Sequence, residues 1–250
     1  MLQQFPWRHR LGRLEMRYAV IAAGEGSRLA QEGVTAPKPL VEVGGEALID
    51  RLLRIFLAGG ASSVSVVCRP DGQTENRLER WRRDGAPVDY IVRTTPSSMH
   101  SLYELAPLLG DGEPFVLTTV DTVFREQEFL AYVAAFQRMV SEGTADGLMG
   151  VTDYIDDERP LYVSTDDGLN VRAFLDRDDH PHYVSAGIYG LTSRSLDTLR
   201  ACVERGESRM RNFQRALLTD GLRLKAWSFS KVLDIDHASD IAKAQALLGV

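Results

Sequence analysis

The sequence predicts an α/β protein, a three-layer α/β/α sandwich with a mainly parallel, Rossmann-like mixed sheet. Two observations carry that prediction. Short apolar runs alternate with stretches in which apolar residues recur every three or four positions, as in Ile49, Leu52, Leu53 and Phe56. The first apolar run also ends in a glycine-rich turn, where such folds place ligands at the carboxyl ends of their strands. At 250 residues the chain can bury a full core.

The elements follow in order. A strand over 18–22 precedes the glycine turn, then come a helix near 48–58, a strand over 64–68, a helix near 73–83, a strand over 88–92, a helix from about 99 to 109 and a strand over 115–119. After Asp121 the pattern gives a helix near 126–141, a strand near 147–152, a polar acidic loop over 153–159, and strands over 162–164 and 171–174. The Asp166-Asp167-Gly168 sequence between the last two is turn chemistry. A strand over 183–191, helices near 196–204 and 210–219, a strand near 224–229 and an amphipathic helix over 238–248 complete the chain. No proline-rich or low-complexity linker and no internal repeat interrupts it.

The densest chemistry lies in residues 18–40. Gly24 and Gly26 permit backbone torsions that place N–H groups against phosphate oxygens at the start of a helix. Arg28 adds a planar fork of donors, and Lys38, set between Pro37 and Pro39, brings a point-like cation back on the next loop. This is equipment for a triphosphate. A third glycine that would complete a dinucleotide fingerprint is missing, and so is the Gly-Lys-Ser/Thr of a Walker loop.

The full string, Ala22-Ala23-Gly24-Glu25-Gly26-Ser27-Arg28-Leu29 followed by Pro37-Lys38-Pro39-Leu40, resembles the signature of the sugar-phosphate nucleotidyltransferases. These enzymes carry an NTP transferase domain of GT-A-like fold and join a nucleoside triphosphate to a sugar 1-phosphate or a related phosphorylated small molecule. The resemblance implies that Ala22, Ala23, Gly24, Glu25, Gly26 and Ser27 bind the nucleotide and that Arg28 and Lys38 are catalytic. Residues 1–16 then form an N-terminal extension. Residues 17–250 are a single domain, with a nucleotide half over about 17–123 and an acceptor half over about 124–250.

Transfer between two phosphorylated substrates calls for a divalent metal, because triphosphate and acceptor repel one another and the leaving pyrophosphate develops charge. Magnesium is the expected cofactor. Asp121 ends the apolar strand over 115–119, in the place where the family has a metal-binding aspartate, although Val120 stands where a glycine is usual. A second acidic segment, Asp234-Ile235-Asp236, resembles the family's carboxyl-terminal metal segment. Asp236 is the favoured ligand and Asp234 the alternate. Asp240 reads as an acid in the first turn of the last helix, favoured by its dipole, and His237 as a solvated loop residue.

Ser97 and Ser98 fall where relatives hold the nucleobase, with helix capping as the competing reading. The 183–189 segment resembles the strand that holds the acceptor, which implicates Tyr183 and Gly187. The Glu-Lys-Pro that supplies an acceptor-phosphate lysine is missing. Arg211 and Arg215, four apart on one helical face, are candidate replacements, with Arg177 behind them.

Composition narrows the partners. With 29 basic against 35 acidic residues the formal charge is -6, which argues against nucleic acid as a partner. No apolar stretch approaches the roughly 20 residues of a membrane span, and no apolar segment of a signal peptide opens the chain, so a cytoplasmic location is expected. Cys68 and Cys202 lack ligand spacing and read as buried thiols. The sequence leaves open the nucleobase, the acceptor and homo-oligomer formation. A phosphocholine-type cytidylyltransferase and a catalytically silent nucleotide-binding regulator are the alternatives.

Overall fold

The structure, a computed structural model, describes residues 16–110, 112–156 and 159–250. The expected N-terminal extension therefore lies, apart from Met16, outside the described residues. The elements are β1 (Met16–Ala22), α1 (Ser27–Gln31), a 3-10 turn (Lys38–Leu40), β2 (Glu42–Val43), β3 (Glu46–Ala47), α2 (Leu48–Ala58), β4 (Ala61–Cys68), α3 (Gln73–Arg83), β5 (Val88–Val92), α4 (Ser98–Leu109) and β6 (Phe115–Thr119). They continue with β7 (Thr122–Val123), α5 (Glu126–Ser141), β8 (Gly147–Thr152), β9 (Tyr162–Thr165), β10 (Val171–Leu175), β11 (Val184–Leu191), α6 (Ser195–Glu204), α7 (Met210–Thr219), β12 (Leu224–Phe229), β13 (Leu233–Asp234) and α8 (Ala238–Leu248).

A nine-stranded sheet organises the molecule, with the path β10-β9-β11-β6-β1-β4-β5, and β8 bridges β11 and β12. The pairs of β1 with β4, β1 with β6, β4 with β5 and β8 with β12 are parallel, while β11 runs antiparallel to β6 and β8. Strand order builds outward from β1 through β4 to β5, then returns to place β6 on the other side of β1. That reversal opens a crevice at the carboxyl ends of β1 and β6.

Alternation along β1 explains the layering. Tyr18, Val20 and Ala22 enter one buried cluster with α2, α5 and α8, and Ala19, Ile21 and Ala23 enter the other with α4, α6 and α7. Tyr18 stacks on Phe56 with ring centroids 4.2 Å apart, and Phe129 stacks on Phe124 at 4.5 Å. Arg51, buried on α2, donates from Nη2 to the Phe124 carbonyl at 2.7 Å and so secures the chain just after β7. Both cysteines are free and buried, as expected. Among the described residues no helix is long and apolar enough to cross a membrane.

The periodic elements match the sequence expectation closely; of the short ones only α1 was anticipated, as the helix that starts at the glycine turn. The pair β2/β3, the helix α1 and the pair β7/β13 are each too short to show a period. The pair β7/β13 nonetheless builds the site, because its antiparallel register sets Thr122 opposite Asp234, and the Ile235 N–H donates to the Asp121 carbonyl at 3.1 Å.

Candidate active site

The chain leaves β1 through Ala23–Gly26. Gly26 adopts φ 60°, and a Cβ there would lie 3.2 Å from the Lys38 Cβ, so the glycine both permits the turn and lets Lys38 pack on the loop. Gly24, which lines a cavity, has open space where a Cβ would stand. Arg28, one residue into α1, donates from Nη1 to Asp236 Oδ2 at 3.3 Å.

Lys38 opens the 3-10 turn, and only 10% of its side chain is exposed. Its Nζ donates to Asp236 Oδ1 at 2.7 Å and pairs with Asp121 Oδ2. Burial works against the ammonium charge, but the Asp121 and Asp236 carboxylates outweigh it and hold Lys38 well above its ordinary range. Burial likewise opposes the Asp236 charge, and Lys38 and Arg28 hold that carboxyl below the usual carboxylate range. Asp234 accepts from Thr122 Oγ1 at 3.1 Å, and Thr122 meets Thr119 Oγ1 at 2.6 Å. Asp234 remains exposed, on the wall of a cavity. Protein packed around its carboxyl, followed by repulsion from Asp121 and Asp236, raises that carboxyl above the usual range.

Two cavities are lined by members of this charge cluster. The larger, about 530 Å³, is lined by Gly24, Glu25, Lys38, Ser97, Ser98 and Asp121 among others. That volume is in the range of small-molecule sites. The other, about 210 Å³, is lined by Arg28, Tyr154, Ser185, Asp234, Asp236 and Lys243 among others. Ser97 combines both of its sequence readings: its Oγ accepts from the His100 N–H at 3.4 Å as the cap of α4, and the residue also lines the larger cavity.

The expected acceptor residues are dispersed. Tyr183 packs its ring on the cluster shared with α4 and gives its carbonyl to the Val163 N–H at 2.9 Å. Gly187 adopts φ 71° in the register break of β11, where a Cβ would stand 3.1 Å from Thr122 Oγ1, so it lies beside the Thr122–Asp234 pair. Arg211 and Arg215 are drawn to a different carboxylate. Asp176 takes Arg211 Nη1 at 2.5 Å and Arg215 Nη2 at 2.8 Å, while the Arg159 and Phe174 carbonyls take Arg211 Nη2 at 3.1 Å and Arg215 Nε at 3.0 Å. Their forks are occupied by protein.

Sequence reasoning missed Thr122, which orients Asp234, and Glu32, which bonds to His237 and to the Ala238 N–H. Neither sits in a motif. His237, read as solvated, is in fact half-exposed and bound at Nδ1 by Glu32. Asp240 does lie in the first turn of α8, and in addition caps the backbone before it.

Among the described residues no group of three His, Cys, Asp or Glu side chains is arranged to hold a metal ion. What is present is a pair of carboxylates, Asp121 and Asp236, that share the Lys38 ammonium, with Arg28 also on Asp236. A hard dication held by two carboxylates and completed by substrate phosphates and water fits such oxygen donors.

Residues 18–220 match the family model of the MobA-like NTP transferase domain, and the chain belongs to that family. It is 27% identical over 131 residues to a glucose-1-phosphate cytidylyltransferase of Salmonella typhimurium, covering 43% of this chain and 51% of the relative. A CMP-5'-(3-aminopropyl)phosphonate synthase of Streptomyces rubellomurinus is 31% identical over 160 residues, covering 58% of this chain and 25% of the relative. The bifunctional IPC transferase and DIPP synthase of Rubrobacter xylanophilus is 25% identical over 246 residues, covering 95% of this chain and 53% of the relative. The chain thus spans about half the length, or less, of these relatives. The inositol-1-phosphate CTP transferase of T. maritima shares the fold with a TM-score of 0.76 at 16% identity, over 94% of this chain and 96% of that one.

Proposed function

We propose that this chain is a nucleotidyltransferase that moves a nucleoside monophosphate from a nucleoside triphosphate to a phosphorylated small molecule. The observation that carries the reading is the charge cluster of Lys38, Asp121, Asp236 and Arg28, whose members line two cavities, Lys38 and Asp121 one and Arg28 and Asp236 the other. The glycine-loop cavity, in the nucleotide half, takes the triphosphate, and the second cavity, in the acceptor half, takes the acceptor. An acceptor phosphate oxygen attacks the α-phosphorus in line, a new P–O bond forms, the bond to the β-phosphate bridging oxygen breaks, and pyrophosphate leaves with the electron pair.

Arg28 and the loop N–H groups stabilise the triphosphate and the departing charge, and Lys38 neutralises the α-phosphate. Magnesium, when bound by Asp121 and Asp236, with Asp234 as alternate, supplies charge neutralisation for the phosphates. Ser97 and Ser98 face the nucleobase. Tyr183 and Gly187 contribute through the strand they flank and bend; Arg211 and Arg215 enter acceptor binding only by giving up Asp176.

Relatives include a glucose-1-phosphate cytidylyltransferase and a CMP-5'-(3-aminopropyl)phosphonate synthase, which makes CTP the first donor to try. A phosphocholine-type acceptor belongs in the same series. Presence of Arg28, Lys38 and Asp121 in one cluster supports an enzyme over a silent nucleotide-binding regulator. The test is pyrophosphate release with Mg²⁺ over a matrix of nucleoside triphosphates against sugar 1-phosphates, inositol phosphates, phosphonates and phosphocholine. Release in at least one cell is expected, and a wholly silent matrix overturns the reading.

A further inference from the structure

The helix α1 docks twice on the segment that precedes α8. Arg28 reaches Asp236 from its first turn, and Glu32, four residues on at its C-terminal end, reaches the next two residues. Glu32 Oε1 lies 2.6 Å from His237 Nδ1, and Oε2 accepts the Ala238 N–H at 2.6 Å across 206 positions of chain. Asp240 Oδ2 meets the same segment from within α8, accepting the His237 N–H at 2.8 Å and the Asp236 N–H at 3.2 Å. The consecutive N–H groups of Asp236, His237 and Ala238 are therefore all held by carboxylates, and the one that comes from outside α8 belongs to the helix carrying Arg28.

From this geometry we infer that Glu32 is a positioning residue: it locks the metal-binding segment onto the nucleotide loop so that Asp236 faces Lys38 and Arg28. The inference rests on the proposed reading of Asp236 as a metal ligand. Global stability is not the purpose such a contact serves best. Glu32 and His237 side chains are each 40% exposed, and exposed pairs add little to folding, whereas α8 is already anchored by the Asp240 capping box and by buried Ala244 and Leu247. Fixing a ligand's direction, by contrast, acts on metal affinity directly, and partners that orient a ligand typically change it about 10–100-fold.

The experiment uses the full chain with Glu32→Ala and Glu32→Gln. Mn²⁺ binding is titrated by electron paramagnetic resonance, amide exchange is read over residues 235–241, and activity is measured as a function of Mg²⁺. In Glu32→Ala the Mn²⁺ dissociation constant and the Mg²⁺ half-saturation rise about tenfold. Exchange over 235–241 quickens while the melting temperature holds, and the KM for the triphosphate at saturating Mg²⁺ stays within about twofold. Glu32→Gln, whose amide oxygen still accepts the Ala238 N–H, recovers most of the affinity. Wild-type Mn²⁺ affinity in Glu32→Ala overturns the inference, whether or not exchange changes, and a wild type that binds no Mn²⁺ overturns it together with the metal assignment. A silent substrate matrix is a separate failure, that of the proposed reaction, and leaves the Mn²⁺ titration to judge Glu32.

Discussion

Lys38 Nζ and Asp236 Oδ1 lie 2.7 Å apart although 198 residues separate them, and Asp121 closes on the same ammonium. Lys38 thus bridges two carboxylates that follow β6 and β13, on the wall of the larger cavity.

Removing that cation leaves Asp121 and Asp236 facing one another. Lys38→Met is expected to lose about 1–2 kcal/mol of stability without metal, below the ~3–5 kcal/mol of a fully buried pair because Asp236 is half-exposed. Mg²⁺ then restores part of the loss, and pyrophosphate release falls about 10²–10³-fold. Melting curves with and without MgCl₂ check the first statement and steady-state kinetics the second. An unchanged melting curve would show that the carboxylates do not need the ammonium.

The three aspartates are expected to rank. Asp121→Asn and Asp236→Asn abolish Mg²⁺-dependent release, since a neutral amide is a poor ligand for a hard dication. Asp234→Asn, whose partner is Thr122 and not the Lys38 ammonium, retains a measurable rate. Mg²⁺ titration of the activity of each variant decides the order, and a dead Asp234→Asn beside an active Asp236→Asn reverses the ligand assignment.

Arg28 is half-exposed and bonds to Asp236 alone in this site. Arg28→Ala therefore keeps its fold and loses about 10²-fold or more in turnover, the scale of one preorganised donor to developing charge. Turnover at the wild-type rate in a folded variant removes Arg28 from catalysis.

Away from the site, Asp146 ties the start of β8 to the chain entering β12. It accepts the Arg223 N–H at 2.9 Å and Arg223 Nε at 3.1 Å, and takes Arg194 Nη1 at 3.1 Å, with 9% of its side chain exposed. Burial pushes its carboxyl up, but these partners outweigh burial and hold it below the ordinary value. Folded Asp146 therefore binds its proton less readily than unfolded Asp146. Its contribution is complete above the unfolded pKa of about 3.9 and drains away as pH falls through the lower folded value. Asp146→Asn is expected to cost about 1–3 kcal/mol at neutral pH. Urea titrations of both proteins from pH 7 down to pH 3 should show their midpoints converging as acid is added; parallel midpoints refute the assignment.

Residues 18–40 carried their meaning locally, as did the helices at 48–58 and 126–141 and the strands at 64–68 and 115–119. Burial imposes a period of two on strands and of three to four on helices, and a phosphate loop needs glycines and cations at short spacing, so a single pass along the chain could find them. Asp121 was legible as the end of an apolar run, and Asp236 through the acidic Asp234-Ile235-Asp236 segment and its resemblance to the family's. Tertiary structure alone decided which charges meet. Residues 122–123 and 233–234 are too short for any period, yet their pairing brings Asp234 to Thr122. Glu32 and His237 carry no motif, and Asp176 captures Arg211 and Arg215 across a separation of 35 residues or more. A hydrogen bond or ion pair between distant positions leaves no trace in the local pattern, because its energy depends on a distance that exists only once β6 has paired with β1 and β13 with β7.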